Sequence, residues 1–309
     1  MLKFYSLIRP LLLSENRRLS LSRSFIVAAL KAHSAVKLEH CPKHTMGVPL
    51  ADVLSKLEEL APLKLAESWD NVGLLVEPER NGVVKNVLVT IDLTENVVDE
   101  ALENEAELII SYHPNIFRPI KCVTQSHWKE RIITKCIRNG IAVFSPHTSW
   151  DAIKGGVNDW LCSAFKSKTS KPIMPNSENS SIGMGRFFEL ESPVTLKKAI
   201  EDVKQHIGLS HVRIGVGRDK CPDTDLISTV AVCAGSGGSV LAGVKADLYL
   251  TGEMLHHDVL EATQKGTSVI LCNHSDSERG YLKSFQKQFK VEGLNVIVSR
   301  VDKDCLTIA

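Results

Sequence analysis

The chain has 309 residues, 43% of them hydrophobic, and a net charge of +1. That length suits one large or two modest domains, and the hydrophobic share is enough for a packed core. A near-neutral balance with no basic patch after residue 47 argues against direct nucleic-acid binding, and the longest apolar runs fall far short of a membrane span. Eight cysteines are scattered with no Cys-x-x-Cys pair, which points to buried thiols in a reducing compartment.

The first stretch stands apart. Residues 1–34 carry Lys3, Arg9, Arg17, Arg18, Arg23 and Lys31 against one acid, Glu15, with serines and leucines between them. An Arg- and Ser-rich, acid-poor start is expected of a mitochondrial transit peptide, the alternative being an untargeted tail. Leu11–Leu13 is too short for the apolar segment of a signal peptide. Residues 1–47 are therefore set aside from the fold as a targeting or disordered segment, which makes the protein mitochondrial or cytoplasmic.

From Val48 helical and strand patterns alternate. Leu50–Leu60 has apolar spacing of period 3.6 and predicts a helix. Val87–Ile91 predicts a strand, and Thr94 caps a helix over Thr94–Asn104. Leu108–Ser111 and Ile141–Phe144 are further strands, with a helix at Trp128–Arg138 between them. A helix over Gly155–Phe165 ends a first half, residues 48–166. The polar stretch Ser167–Ser181 reads as a linker, giving a linker region of 167–182. The second half, residues 183–309, begins with a strand at Arg186–Leu190 and a helix at Thr195–Ile207. Strands follow at Val212–Val216, Thr229–Cys233, Leu248–Thr251 and Ser268–Cys272, with helices at Ser239–Val244, Met254–Gln264 and Ser275–Phe289. This rhythm predicts an α/β fold of two linked halves, with largely parallel sheets and helices packed on them.

Ligands in α/β sheets collect outside the carboxyl ends of the strands. Three strand ends here carry groups able to bind a metal. Leu108-Ile109-Ile110-Ser111-Tyr112-His113 and Val269-Ile270-Leu271-Cys272-Asn273-His274 each place a histidine two residues beyond an apolar run. His147 and Asp151 follow the third strand. His274 and Glu278 are four positions apart and share a face if a helix begins near Asn273. Imidazoles with carboxylates suit zinc, iron or manganese and leave room for water, the nucleophile of metal-dependent hydrolysis. Beyond another strand, Glu253 and His257 are also four apart, and with His147 they are candidate proton shuttles. Ala234-Gly235-Ser236-Gly237-Gly238-Ser239 is either a tight turn or a phosphate-binding loop. Glu67-Ser68-Trp69-Asp70-Asn71-Val72-Gly73 is either a pocket wall or a structural loop.

Taken in order, Glu67–Leu74, Ser111-Tyr112-His113-Pro114, Ser145-Pro146-His147-Thr148, Gly235-Ser236-Gly237, Thr251–His257 and Cys272–Glu278 resemble the family named for NGG-one-interacting factor three. That family is also catalogued as type 2 GTP cyclohydrolase I, and the match is closest to its animal factor-three-like group. It runs from about residue 48 to the C-terminus. The resemblance implies a metal site between the two halves, often dinuclear, and a toroidal hexamer as in bacterial members. It places metal ligands on His113, Asp151, His274 and Glu278. Where bacterial members have His-His, this chain has Tyr112-His113, which favours one firmly bound divalent ion and only weak hold on a second. The short Ser167–Ser181 stretch leaves no room for the domain that longer relatives insert, so the site is expected to be open.

The leading expectation is a metal-dependent hydrolase of unidentified substrate, with purine nucleotides suggested by the family label alone. The alternative is a non-catalytic partner-binding scaffold such as a transcriptional co-regulator, for which a nuclear location would follow.

Overall fold

The computed structural model describes residues 47–79 and 82–308. The targeting expectation for the N-terminal stretch lies outside the described residues. Among those described, no helix is long and apolar enough to cross a membrane.

Two sheets organise the fold. The five-stranded sheet runs, side by side, Asn295–Val298, Asn86–Thr90, Leu108–Ser111, Ala142–Ser145 and Gly73–Val76. Its first three pairings are parallel and the last is antiparallel. The middle strands, VLVT, LIIS and AVFS, are buried throughout, as continuous β-branched runs covered on both faces should be. The six-stranded sheet runs Arg213–Gly215, Ser268–Leu271, Leu248–Glu253, Leu226–Ser236, Arg186–Thr195 and Ser167–Lys171. Only its two inner pairings, among the last three β/α strands, are parallel; the edges are antiparallel. The expected α/β architecture is present, with the first sheet largely parallel and the second mixed.

The helices are amphipathic and pack on these sheets. Leu50–Leu60 buries Leu50, Val53 and Leu57, one stripe that contributes about 1.5–3 kcal/mol per side chain. Thr94 caps Glu95–Glu103 as expected, its hydroxyl accepting from the Val97 N–H. The halves are not separate bodies. Trp150, fully buried, packs its ring 4.4 Å from that of Phe285 and edge-on 5.3 Å from that of Tyr281, so one apolar core runs through both.

Two boundaries differ from the sequence expectation. Ser167–Lys171, inside the expected 167–182 linker, is an edge strand paired with Arg186–Thr195. A polar edge strand with one side to water looks like a loop in sequence. Asn295–Val298, placed in the expected 183–309 half, adds a parallel strand to the first sheet. Four residues, one exposed and three half-buried, are too short a run to predict, and only the free edge beside Asn86–Thr90 makes them a strand.

Candidate metal centre

The carboxyl ends of both sheets converge. Hydroxyls help turn the chain there: Ser111 Oγ donates to the His113 carbonyl at 2.6 Å, and Thr90 Oγ1 to the Asp92 carbonyl at 3.1 Å. His113 leaves the first sheet, and His274 with Glu278 leaves the second. Their ligand atoms all lie within 4.8 Å of one another. His113 Nε2 is 3.5 Å from Glu278 Oε2, and His274 Nε2 is 3.3 Å from Glu278 Oε1. Glu278 thus receives one imidazole on each oxygen.

Each imidazole is oriented from behind by a carboxylate. His113 Nδ1 is 2.9 Å from Asp92 Oδ1, and His274 Nδ1 is 2.8 Å from Glu253 Oε1. A carboxylate on Nδ1 fixes the tautomer in which Nε2 presents a lone pair forward, the usual support of a metal-bound histidine. Glu253, expected to shuttle protons, therefore has a positioning contact.

The centre is electrostatically unbalanced. Glu278 is 2% exposed and its Oε2 has no hydrogen-bond partner. Burial, with Asp151 and Asp92 nearby, pushes its carboxyl well above the usual range. Burial pulls the His113 imidazole down, against the opposing contact with Asp92. Two oriented imidazoles facing a buried carboxyl whose second oxygen has no partner form a donor set short of a cation. The backbone leaves space for one. Gly235 has φ +65°, and a Cβ there would stand 2.5 Å from Glu278 Oε1 and 3.0 Å from His274 Nε2. The donor set, the orphaned oxygen and this cradle fit a divalent ion.

Asp151 lies outside the three-residue cluster. Tyr112, 1% exposed, donates its hydroxyl to Asp151 Oδ1 at 2.7 Å, so the phenol holds that carboxyl. Burial raises the Asp151 pKa to about 6 and the Tyr112 pKa well above its ordinary value. His147 lies beside the centre, its ring centroid 5.4 Å from His113 and 5.4 Å from Tyr112. Its backbone holds φ +33°, a strained conformation of the kind found at functional sites. Its Nδ1 is 2.7 Å from Asp70 Oδ1, while Asp70 Oδ2 accepts from Thr148 Oγ1 at 2.5 Å. Trp69 and Phe117 edge the same imidazole at 6.0 and 6.3 Å, which makes the Glu67–Gly73 stretch a wall of the site.

Several expected contacts differ. His274 and Glu278 meet, but through a turn, since the helix starts at Asp276 rather than near Asn273. His257 is exposed and its ring contact is with His256. Glu253 ends a strand and the helix begins at His256, so the four-residue spacing that linked His257 to Glu253 has no helical meaning. The glycine loop is a turn: Gly235 N–H donates to Ser277 Oγ and Gly237 N–H to Thr251 Oγ1, leaving neither for a phosphate. Asp70 belongs to the Glu67–Gly73 stretch, whose sequence allows a pocket wall, whereas Asp92 is outside every strand-tip motif; it stands two residues beyond the strand Asn86–Thr90, which lies beside that of His113, and this position is its sequence signal.

The family model described as Duf34/NIF3 (NGG1p interacting factor 3) matches residues 48–305. NIF3-like protein 1 of Drosophila melanogaster is 51% identical over 84% of this chain and 89% of its own length. NGG1-interacting factor 3 of Saccharomyces cerevisiae is 36% identical over 84% of this chain and 97% of its own. The crystal structure of a hypothetical protein of Staphylococcus aureus superposes with TM-score 0.74 at 28% identity, covering 85% of this chain and all of that one.

Proposed function

Since the chain belongs to the Duf34/NIF3 family, we propose that it is a metal-dependent hydrolase of a small polar substrate, with His113, His274 and Glu278 as metal ligands and Asp151 completing the set. The observation that carries this is the buried Glu278 carboxylate, met by an oriented imidazole from each sheet and left with an unpartnered oxygen. A divalent zinc, iron or manganese ion bound there supplies Lewis-acid polarisation of water or of a substrate oxygen. The remaining roles belong to the protein. Asp92 and Glu253 hold the two imidazoles in the donor tautomer. His147, tied to Asp70 through Nδ1, keeps Nε2 to take a proton from the attacking water and return it to the leaving group. Trp69, 59% exposed, and Phe117 form the open rim on which substrate lies.

Elemental analysis of the purified protein and turnover of a purine-nucleotide panel, with and without chelator, test this reading. Bound metal and chelator-sensitive turnover that His147→Ala lowers by about 10²–10⁴-fold are expected. Protein that retains no divalent ion after metal loading ends it. A second reading, a protein-binding role, rests on the name of the yeast relative, NGG1-interacting factor 3. Partner capture equal in metal-free and loaded protein, without turnover, favours it.

Tyr112 limits the number of ions. A buried neutral phenol is a poor ligand beside an imidazole, and it also occupies Asp151. Tyr112→His frees that carboxyl and adds a nitrogen donor, so it is expected to raise the number of tightly held ions per chain. Two tightly held ions in the wild type, measured by elemental analysis, contradict this account.

A further inference from the structure

We propose that the C-terminal strap, residues 299–304, is a positioning clasp for the metal centre, with Asp302 as its key residue. This rests on the metal reading above. Here the chain leaves its last strand, and Ser299 N–H continues the ladder to the Val89 carbonyl at 2.9 Å. Glu100 then anchors it, accepting from Ser299 Oγ at 2.5 Å and from Arg300 N–H at 2.9 Å.

Beyond that anchor, the side-chain contacts of Asp302 and Asp304 with the rest of the fold fall next to residues of the centre. Asp302, its side chain 2% exposed, accepts the Ile91 N–H on Oδ2 at 2.8 Å and ion-pairs through the same oxygen with Arg279 Nη1. Ile91 immediately precedes Asp92, the carboxylate behind His113, and its carbonyl also accepts the His113 N–H at 3.0 Å. Arg279 immediately follows Glu278. Asp304 Oδ2 accepts from Ser275 Oγ at 2.7 Å, and Ser275 immediately follows His274. Arg279 Nη2 donates back to Ser275 Oγ at 2.6 Å, closing the circuit.

The physical consequence follows from where those residues lie. His113 is carried by one sheet, and His274 with Glu278 by the other. Three ligands hold one ion only if their donors stay fixed to within a few tenths of an ångström. A single buried carboxylate bonded to both loops ties one set of ligands to the other. It also draws the Arg279 guanidinium to itself. Without Asp302, the anions left around that cation include Asp276, 4.0 Å from its Nε, and Asp92 and Glu278, whose carboxyls its charge already influences, so the arginine would compete with the metal for its own ligand. Replacing groups behind metal ligands typically weakens binding about 10–100-fold.

The test uses the full chain, stripped and reloaded with Zn(II) or Co(II), read by titration calorimetry, Co(II) absorption and thermal melting. Asp302→Ala is expected to weaken metal binding tenfold or more and to change the Co(II) spectrum. Asp302→Asn, which keeps the acceptor for Ile91 but not the charge for Arg279, should fall between it and the wild type, and it carries the test if the alanine variant does not fold. Val203→Ala, in a buried site on the helix Leu196–Ile207, serves as a control that loses stability without touching the strap. It should melt earlier yet bind metal within twofold of the wild type. If the Asp302 variants melt earlier but keep wild-type affinity and spectrum, the strap is only a structural tie and the proposal is overturned. If the wild type itself binds neither ion, the metal reading fails instead.

Discussion

Glu278→Gln is expected to abolish metal binding and, in metal-free protein, to raise rather than lower the melting temperature. The carboxylate is fully enclosed, one oxygen has no hydrogen-bond partner, and Asp151 and Asp92 add like charge. An acid whose ionisation is opposed by burial and by like charges costs stability at neutral pH, relative to the unfolded chain, that a neutral amide of the same shape does not. The amide can also donate to one imidazole, since the Nδ1 contacts with Asp92 and Glu253 leave both Nε2 atoms as acceptors. A gain of about 1 kcal/mol is expected, roughly 2–4 °C for a unit of this size. Metal reverses the order. An ion at 100 times its dissociation constant stabilises the wild type by about 2.7 kcal/mol and the variant not at all. Melting curves with and without metal should therefore cross in rank. A variant that is less stable than the wild type in both conditions, or that keeps its ion, contradicts the assignment of Glu278 as a ligand held at a cost.

The same residues show how far the sequence can be read. Parallel strands buried on both faces are continuous β-branched runs, so Leu108–Ser111 and Ser268–Leu271 are visible as strands and His113 and His274 as their tips. Ligands crowd such tips because the backbone ends there and side chains face the crevice. That reasoning, with the four-residue spacing from His274 to Glu278, reaches all three clustered donors. It does not reach Asp92 or Asp302, because their roles depend on which strands are neighbours. Asp92 matters only because Asn86–Thr90 lies beside Leu108–Ser111, and Asp302 only because Asn295–Val298 returns to the free edge of that sheet. The same limit applies to Asp151. Its spacing from His147 is readable, but that the Tyr112 hydroxyl turns toward it is decided by packing around Trp150. His257 illustrates the converse error: its four-residue interval from Glu253 would put the two on one face inside a helix, but the helix starts three residues after Glu253 and no turn brings them together.

Arg186 is the clearest case of a residue whose sequence position, the start of a strand, conceals its effect. It is 2% exposed and its guanidinium serves both parts of the core. Nε lies 2.5 Å from Asp159 Oδ1, Nη1 donates to the carbonyls of Gly183 and Gly185 at 2.6 and 2.8 Å, and Nη2 donates to the carbonyl of Ile153 at 2.8 Å. Asp159 and Ile153 belong to the segment after the first sheet, while Gly183 and Gly185 lead into the second. Arg186→Ala leaves a carboxylate and three carbonyls without their donor and opens a cavity, so a loss of about 3–5 kcal/mol is expected. Arg186→Lys should recover little of it, because one ammonium cannot reproduce a planar fork that reaches acceptors on several sides. Asp159→Asn should cost less than either. The Asp159 side chain is 24% exposed, so water can replace part of the contact, and Arg186 keeps its carbonyl acceptors. Chemical denaturation of the three variants gives the order. If Asp159→Asn proves as damaging as Arg186→Ala, the ion pair rather than the carbonyl contacts holds the two segments together.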